Sequence, residues 1–504
     1  MIRRALLAAA LLTGAAHAQI APPRDRTLVV AQTFDPISLW PNATTASDNI
    51  NAGAAVVESL FWGNPATGKI EPLLGESYTQ VDPTTVRIVL RRGVTFTNGE
   101  PMDADAAVAS IKVFADPKLT PAYGLYAGPF DSVDKIDDHT VDLHTKYPSP
   151  TNGFMLTQIF ITPPKYWVSA GMAGYGQKPI GTGPFVLTDW KKDDRVVMDH
   201  NPQYWGKPPQ GIDRVVWRPV PDDTARAAGL QTGEYDLTSA LAITDVLQLE
   251  TQPDVQVIGI PSYRIYTVML SSLAQHPGPL HDKRVRQALN YAIDKQSIIK
   301  NVLFGRAQPL HGQLLRHDQM GFDPALDDYP YDPARARALL VEAGYPNGVD
   351  IVFKAPAGRY PQDREVSQAI AGMLAQVGVR ATIQSLEPGE FLRQLRNREL
   401  GPMAFFGSAP PDDPSYQVFQ YRSDWRYSYV QNPQMDALID AGARDMDPGS
   451  RGKTYQQLMR LMRDEAPSIF LYQGTDFYGT SRRLKNFAAS GDGRIFLNEV
   501  SLSQ

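Results

Sequence analysis

Not one of the 504 residues is cysteine. Such a chain cannot staple loop-rich domains with disulfides, bind a metal through sulfur, use a thiolate nucleophile or carry a lipid-modified N-terminal cysteine. Its fold must rest on ordinary apolar cores. At 43% hydrophobic and 20% charged residues the composition is globular, with length enough for two or three domains. The formal charge of −5 comes from interleaved acids and bases, so the basic footprint of a nucleic-acid binder is missing.

The opening residues MIRRALLAAALLTGAAHAQ place Arg3 and Arg4 before an apolar run, Ala5 to Leu12, and then Ala16-His17-Ala18 ahead of Gln19. Charge, apolar run and small-residue site in that order predict a cleavable export signal over residues 1–18, and the run is too short to span a bilayer. No later stretch reaches transmembrane length. The expected location is the periplasm of a two-membrane bacterium, with secretion to the outside as the alternative.

After the leader, β-rich runs dominate: TLVVA (27–31), TVRIVL (85–90), TVDLHT (140–145), PFVLTDW (184–190), RVVMDH (195–200) and DRVVWRPV (213–220). Each is bounded by Gly, Pro, Asp or Asn, as strands are. Asp103 is the expected N-cap of a helix over ADAAVASIKVF. From about residue 280 longer helices alternate with strands. Asp282 should cap one helix through KRVRQALNYAIDKQSIIKNVLF, ending at Gly305. Asp332 and Pro333 should open another, with Gly344 past its end. DREVSQAIAGMLAQVG puts Val366, Ile370, Met373, Leu374 and Val377 on one face and leads through Gly378 into a strand, which predicts an α/β layer. The 41 prolines are spread throughout and no flexible tether is visible, so domains should join through crossing strands.

Catalytic motifs do not emerge. The eight histidines show neither H-E-x-x-H nor a close pair, and no G-x-S-x-G elbow or phosphate-binding loop is present. GTGPF (181–185) reads as a turn entering a strand, because Pro184 lacks the amide a phosphate would use. In FFGSAPPDDPSYQVF (405–419), Asp412 and Asp413 are adjacent, so they point apart and cannot face each other across a scissile bond. They serve either as turn residues, with Pro414 holding Asp413 extended, or as ligand contacts. Aromatic clusters at SYRIYTVML (262–270) and YRSDWRYSYV (421–430), beside Arg264, Arg422 and Arg426, suit core packing or a cleft for an amphipathic solute.

Six segments in order resemble the peptide/opine/nickel class of extracellular solute-binding proteins, solute-binding family 5: IEPLLGESYTQVDPTTVRIVLRRGVTFTNGEPMDADAAVAS (70–110), GTGPFVLTDW, HNPQYWGKPPQGIDRVVWRPVPDDTARAAGLQTGEYDL (200–237), DKRVRQALNYAIDKQSI (282–298), YDPARARALLVEAGYPNG (331–348) and NPQMDALIDAG (432–442). The resemblance implies an α/β, two-lobe, periplasmic binding protein type II-like fold with an extra small domain inserted in lobe I (cluster C type). Lobe I would hold 19–50, 181–268 and 476–504, the insert 51–180, and lobe II 269–475. It also implies no enzyme activity and no cofactor or metal. The protein would be a monomeric receptor delivering a small carboxylate-bearing solute, peptide-like or an opine or amino-acid derivative, to an inner-membrane ABC permease by closing its lobes.

The resemblance also implies ligand contacts. Arg359, in APAGRYPQDREV, matches the arginine that grips a ligand carboxylate. Thr45 and Ser47 match a lobe I segment that meets the ligand backbone, with a capping turn as the other explanation. Tyr266 lies where aromatic side chains line the cleft, with core packing as its competitor. Asp412 and Asp413 fall in the lobe II wall. There the chain departs from the family pattern: with Asp413-Pro414 aligned to the family's acid-Pro, the position that holds a peptide's ammonium is Pro410 and the neighbouring aromatic position is Gly407. Pro410 cannot hold an ammonium through its side chain and Asp412 could take its place only with the loop rearranged, so an ordinary dipeptide or oligopeptide is not the ligand expected. Two other readings stay open, a secreted hydrolase using Asp412 or Asp413 with a distant Glu, and a chaperone-like binder of extended peptides.

Overall fold

The computed structural model describes residues 24–503, so the expected leader over 1–18 lies outside the described residues. Among the described residues no helix is long and apolar enough to cross a membrane.

Two long strands, Val255–Leu270 and Ser468–Ser481, run antiparallel through the middle of an eleven-stranded sheet. Their pairing runs from Val255 opposite Ser481 to Met269 opposite Ser468, with register shifts between Pro261 and Ile265 and between Tyr266 and Thr267. Each end of the pair serves a different half of the molecule. At one end, Leu237–Thr238 joins Ser468–Ser481 and continues through Thr27–Gln32, Arg214–Pro219, Arg195–His200 and Phe185–Lys191. At the other end, Met403–Ser408 pairs with Ile265 to Leu270 and leads to the parallel strands Val349–Pro356 and Val379–Leu386.

A separate antiparallel sheet of four strands holds Gly75–Asp82, Thr85–Leu90, Thr140–Thr145 and Phe130–Asp137. In Thr85–Leu90, Val86, Ile88 and Leu90 point inward while Arg87 faces out and grips Asp142 with two bonds of 2.8 Å, the period of two that the sequence predicts. Helix Ala104–Ala115 lies against this sheet, capped by the Asp103 carboxylate, which accepts from the amides of Asp105 and Ala106. This unit has a core of its own, with Phe96, Phe114, Tyr123, Leu143 and Leu156 buried.

Most sequence-predicted strands and helix starts stand where expected. The exception is the run from Asp282, which breaks into two helices, Lys283–Tyr291 and Lys295–Asn301. Asp294 caps the second by accepting from the Ser297 amide at 2.9 Å. A short acid in mid-run competes for backbone amides and starts a new helix in place of continuing the old one.

The GTGPF turn and the NPQYWG segment converge on one buried acid. Glu58 accepts hydrogen bonds from the Thr182 hydroxyl, the Tyr204 hydroxyl and the Trp205 indole at 2.7–2.9 Å. Gly181 and Gly183 let this turn lie on the backbone of Ala55 to Val57. A β-carbon at Gly181 would stand 1.9 Å from the Val56 carbonyl oxygen. Burial pushes the Glu58 carboxyl up from 4.5 to about 7, against the pull of its three donors.

Two predictions follow from this junction. A carboxyl whose folded pKa is raised binds its proton more tightly in the folded state, so its stabilisation is complete below the unfolded value and is lost as pH rises through about 7. Glu58→Gln should remove a fall of ~3 kcal/mol between pH 4.5 and 8, read as a flatter pH profile in urea denaturation; identical profiles would contradict it. Gly181→Ala should cost about 2 kcal/mol or more through overlap with the Val56 carbonyl, seen as a lower urea midpoint.

Candidate ligand-binding site

Where the two long strands lose register, between Pro261 and Ile265, side chains are freed from strict alternation and re-aimed, as bulges do beside binding sites. The Ser262 hydroxyl donates to Asp476 Oδ2 on the facing strand at 2.7 Å and accepts from the Arg264 amide at 3.0 Å. Two cavities meet here and share Gly491 and Asp492 as a common wall. The inner one, about 200 Å³, is lined by Ser47 and Asp48, by Arg264 and Asp476, and by Ala409. The outer one, about 630 Å³, is lined by Tyr263, Asp412 and Asp413 on one side and by Phe154, Arg494 and Phe496 on the other.

Asp413 is the N-cap of helix Pro414–Phe419, accepting from the Ser415 amide at 2.9 Å. It is also held by the Arg451 guanidinium through two bonds of 2.9 and 2.6 Å. Asp412 points the other way, to the Arg316 guanidinium, which lies 4.8 Å over the Tyr263 ring. Burial pushes the Asp412 carboxyl up while Arg316 pulls it down. Both acids line the outer cavity; Asp413 is occupied in holding its helix, whereas the Asp412 side chain is 47% exposed.

Ser47, the first residue of helix Ser47–Ala54, lines the inner cavity and donates its hydroxyl to the Asp492 carbonyl at 2.9 Å. Thr45 is exposed and lines neither cavity. The cap of that helix is Ala46, without a side-chain bond, and it is Thr44 whose hydroxyl oxygen accepts from the Ala46 amide.

Tyr266 is 5% exposed and lines neither cavity. Its ring packs on Tyr472, Tyr360 and Phe405 at 4.8–5.8 Å, so core packing accounts for it. The same rings account for Gly407: a β-carbon there would stand 2.8 Å from Tyr266 and 3.1 Å from Tyr360. No aromatic side chain can occupy that position.

Arg359 stands at a turn built by Asp363, whose carboxylate accepts from the amides of Gly358, Arg359 and Tyr360. Its Nε donates to the Tyr360 hydroxyl at 3.1 Å, and that hydroxyl donates to the Gly407 carbonyl at 3.2 Å. Arg264 donates to the same carbonyl at 3.4 Å. The two guanidiniums lie 5.2 and 5.7 Å from the Tyr360 ring centre. Among the described residues neither makes an ion pair with a carboxylate. Arg264 lines the inner cavity; Arg359 lies one side chain behind it.

Sequence reasoning picked out Arg264 only as a neighbour of aromatic residues and missed Asp48, Asp476, Asp492 and Arg494. Asp476 carries no local motif; only its pairing across the strands brings it to Ser262. Arg422 and Arg426, noted with Arg264, are engaged elsewhere: Arg422 pairs with Asp440, and Arg426 lies over Trp425 and Tyr427.

Beside the outer cavity, at Phe154 and next to Asp413, parts of the chain distant in sequence touch. The Tyr416 ring meets Tyr126 at 5.3 Å and Phe154 at 5.4 Å, and Arg444 lies 4.9 Å over Tyr147. The edge-on Tyr126–Tyr416 geometry is a favoured aromatic contact.

Comparison with known proteins agrees with this architecture. The family model for bacterial extracellular solute-binding proteins, family 5 middle, matches residues 69–428. The glutathione-binding protein GsiB of Pectobacterium atrosepticum is 27% identical over 529 residues, spanning 100% of this chain and 99% of that one. The solved structure of HbpA2 from Haemophilus parasuis has a TM-score of 0.81 at 25% identity, over 95% of this chain and 100% of its own. The ABC transporter substrate binding protein CtaP of Listeria monocytogenes has a TM-score of 0.85 at 23% identity, over 95% and 99% of the two chains, and shares the fold. The two-lobe α/β fold expected from the sequence is the fold observed, and the chain belongs to the bacterial extracellular solute-binding proteins of family 5.

Proposed function

We propose that the protein is the exported periplasmic receptor of an ABC importer and carries a small, carboxylate-bearing, peptide-like solute to the permease. The observation that supports this most is the pair of adjoining cavities at the irregular crossing of the two long strands, which share Gly491 and Asp492. Lobe I is assigned to 19–50, 181–268 and 476–504, the insert to 51–180 and lobe II to 269–475. A solute that touches both lobes favours the closed state by contacts it lacks in the open one, and the closed form is what a permease can recognise. No bond in the solute need break.

A carboxylate on the solute is supported by the two guanidiniums, Arg264 and Arg359, that flank Tyr360 without a carboxylate partner. Burying an anion requires such partners, and a guanidinium offers paired donors. That GsiB, similar along its whole length, is named for glutathione binding is in keeping with a peptide-like solute bearing carboxylates.

Native mass spectrometry of the purified protein should find one solute bound per chain, recovered unchanged. Re-addition of that solute at a hundred times its Kd should stabilise the emptied protein by about 2.7 kcal/mol; consumption of the solute would overturn the receptor reading. Arg359→Ala should weaken a carboxylate ligand about tenfold or more, as expected for loss of a charge-assisted bond of roughly 1.5–3 kcal/mol. Unchanged affinity in calorimetry would remove Arg359 from the site.

A further inference from the structure

The inner cavity carries a charge pattern of its own. Three carboxylates, Asp48, Asp476 and Asp492, line it together with one guanidinium, Arg264. Asp492 is engaged: it accepts from the Ser490 hydroxyl at 2.6 Å and pairs with Arg494 at 3.3 Å. Asp48 accepts at one oxygen from the Phe34 amide at 3.1 Å, and Asp476 at one oxygen from the Ser262 hydroxyl at 2.7 Å. Burial pushes the Asp48 carboxyl up to about 6 and the Asp476 carboxyl upward too, with Asp492 adding to the latter and Arg264 opposing it. Arg494 pairs with Asp492 and Arg226 opposes the rise at Asp48, which leaves Asp476 as the buried carboxylate with the fewest partners, and such a group favours a guest that brings a cation.

Size and placement narrow the guest. A volume of about 200 Å³ is below the roughly 300 Å³ at which pockets for whole ligands begin, so this compartment suits one end of a solute whose remainder lies in the outer cavity. Arg264 and Asp476 stand on neighbouring strands beside the register shift and both line this cavity, the Asp476 carboxylate held by the Ser262 hydroxyl and the Arg264 guanidinium by the Gly407 carbonyl and the Tyr360 ring. A cation site and an anion site side by side match a group whose ammonium and carboxylate sit on one carbon.

We propose that the inner cavity receives an α-amino-acid head, with Arg264 taking its carboxylate and Asp476 its ammonium. This rests on the receptor reading and deepens it. Asp476 then does from the crossing strand what Pro410 cannot do from the loop. Because the two charges are read at one end, the site selects γ-glutamyl-type solutes, with a complete amino-acid head, over α-linked dipeptides, whose ammonium and carboxylate stand at opposite ends.

The test is calorimetry of the ligand-free protein against glutathione, γ-glutamylalanine, N-acetylglutathione and alanylalanine. Glutathione or γ-glutamylalanine should bind at least thirtyfold more tightly than N-acetylglutathione and than alanylalanine. Asp476→Asn should weaken binding of the free-headed compound at least tenfold while leaving the N-acetylated one within twofold, and Arg264→Gln should weaken both. Equal binding of free and N-acetylated forms, a preference for alanylalanine, or no response of the wild-type protein to the free-headed compounds would each overturn the proposal. Comparison of the two glutathione forms on the wild-type protein needs no variant to fold. The receptor reading is judged apart from this, by whether a co-purifying solute is bound and returned intact.

Discussion

The pairing of Val255–Leu270 with Ser468–Ser481 is the interaction on which the rest depends. Backbone hydrogen bonds at one end tie these strands to the half that holds Thr27–Gln32, and at the other to the half that holds Met403–Ser408. A perfect ladder would make one stiff sheet with side chains in strict alternation. The shift at 261–265 interrupts that order where the two halves meet, and the amide and hydroxyl groups released there are used by Ser262, Arg264 and Asp476. The candidate site and the junction of the two halves thus share one irregularity in one strand pair.

The acids nearest the cleft show how burial divides labour among like residues. Asp413 has two guanidinium bonds and a helix amide, and its energy goes into holding helix Pro414–Phe419 and the Tyr416 ring at its face. Asp412, one residue earlier, faces the outer cavity with Arg316 behind it. Breaking the Asp413–Arg451 pair would strand a poorly hydrated charge, which costs more than the pair itself contributes. Such anchoring keeps this wall of the outer cavity in one shape while leaving polar groups exposed in it.

Local rules were legible wherever a short stretch is decided by its own neighbours. Asp103 and Asp332 cap helices as the sequence predicts, because a cap needs only amides two or three residues on. The same rule, applied too sparingly, missed the second start at Asp294. Motifs spaced along the chain also carried the family and its two-lobe fold. The candidate site was legible only in part. Ser47, Asp412 and Asp413 line the cavities, Arg359 stands one ring away, and Thr45 and Tyr266 line neither.

What the sequence by itself determined, then, was the inventory: a cysteine-free chain held by apolar cores, with strands and capped helices in a family-specific order. Tertiary structure decided which charges share a cavity. Asp48, Arg264, Asp476 and Asp492 come from segments more than two hundred residues apart at their extremes and meet only because the chain crosses twice between its halves. Gly407 has the same lesson in reverse, since only the Tyr266 and Tyr360 rings packed against it explain why no side chain fits. A charge's effect depends on its distance to others and on the water excluded around it, and neither quantity is written in local order along the chain.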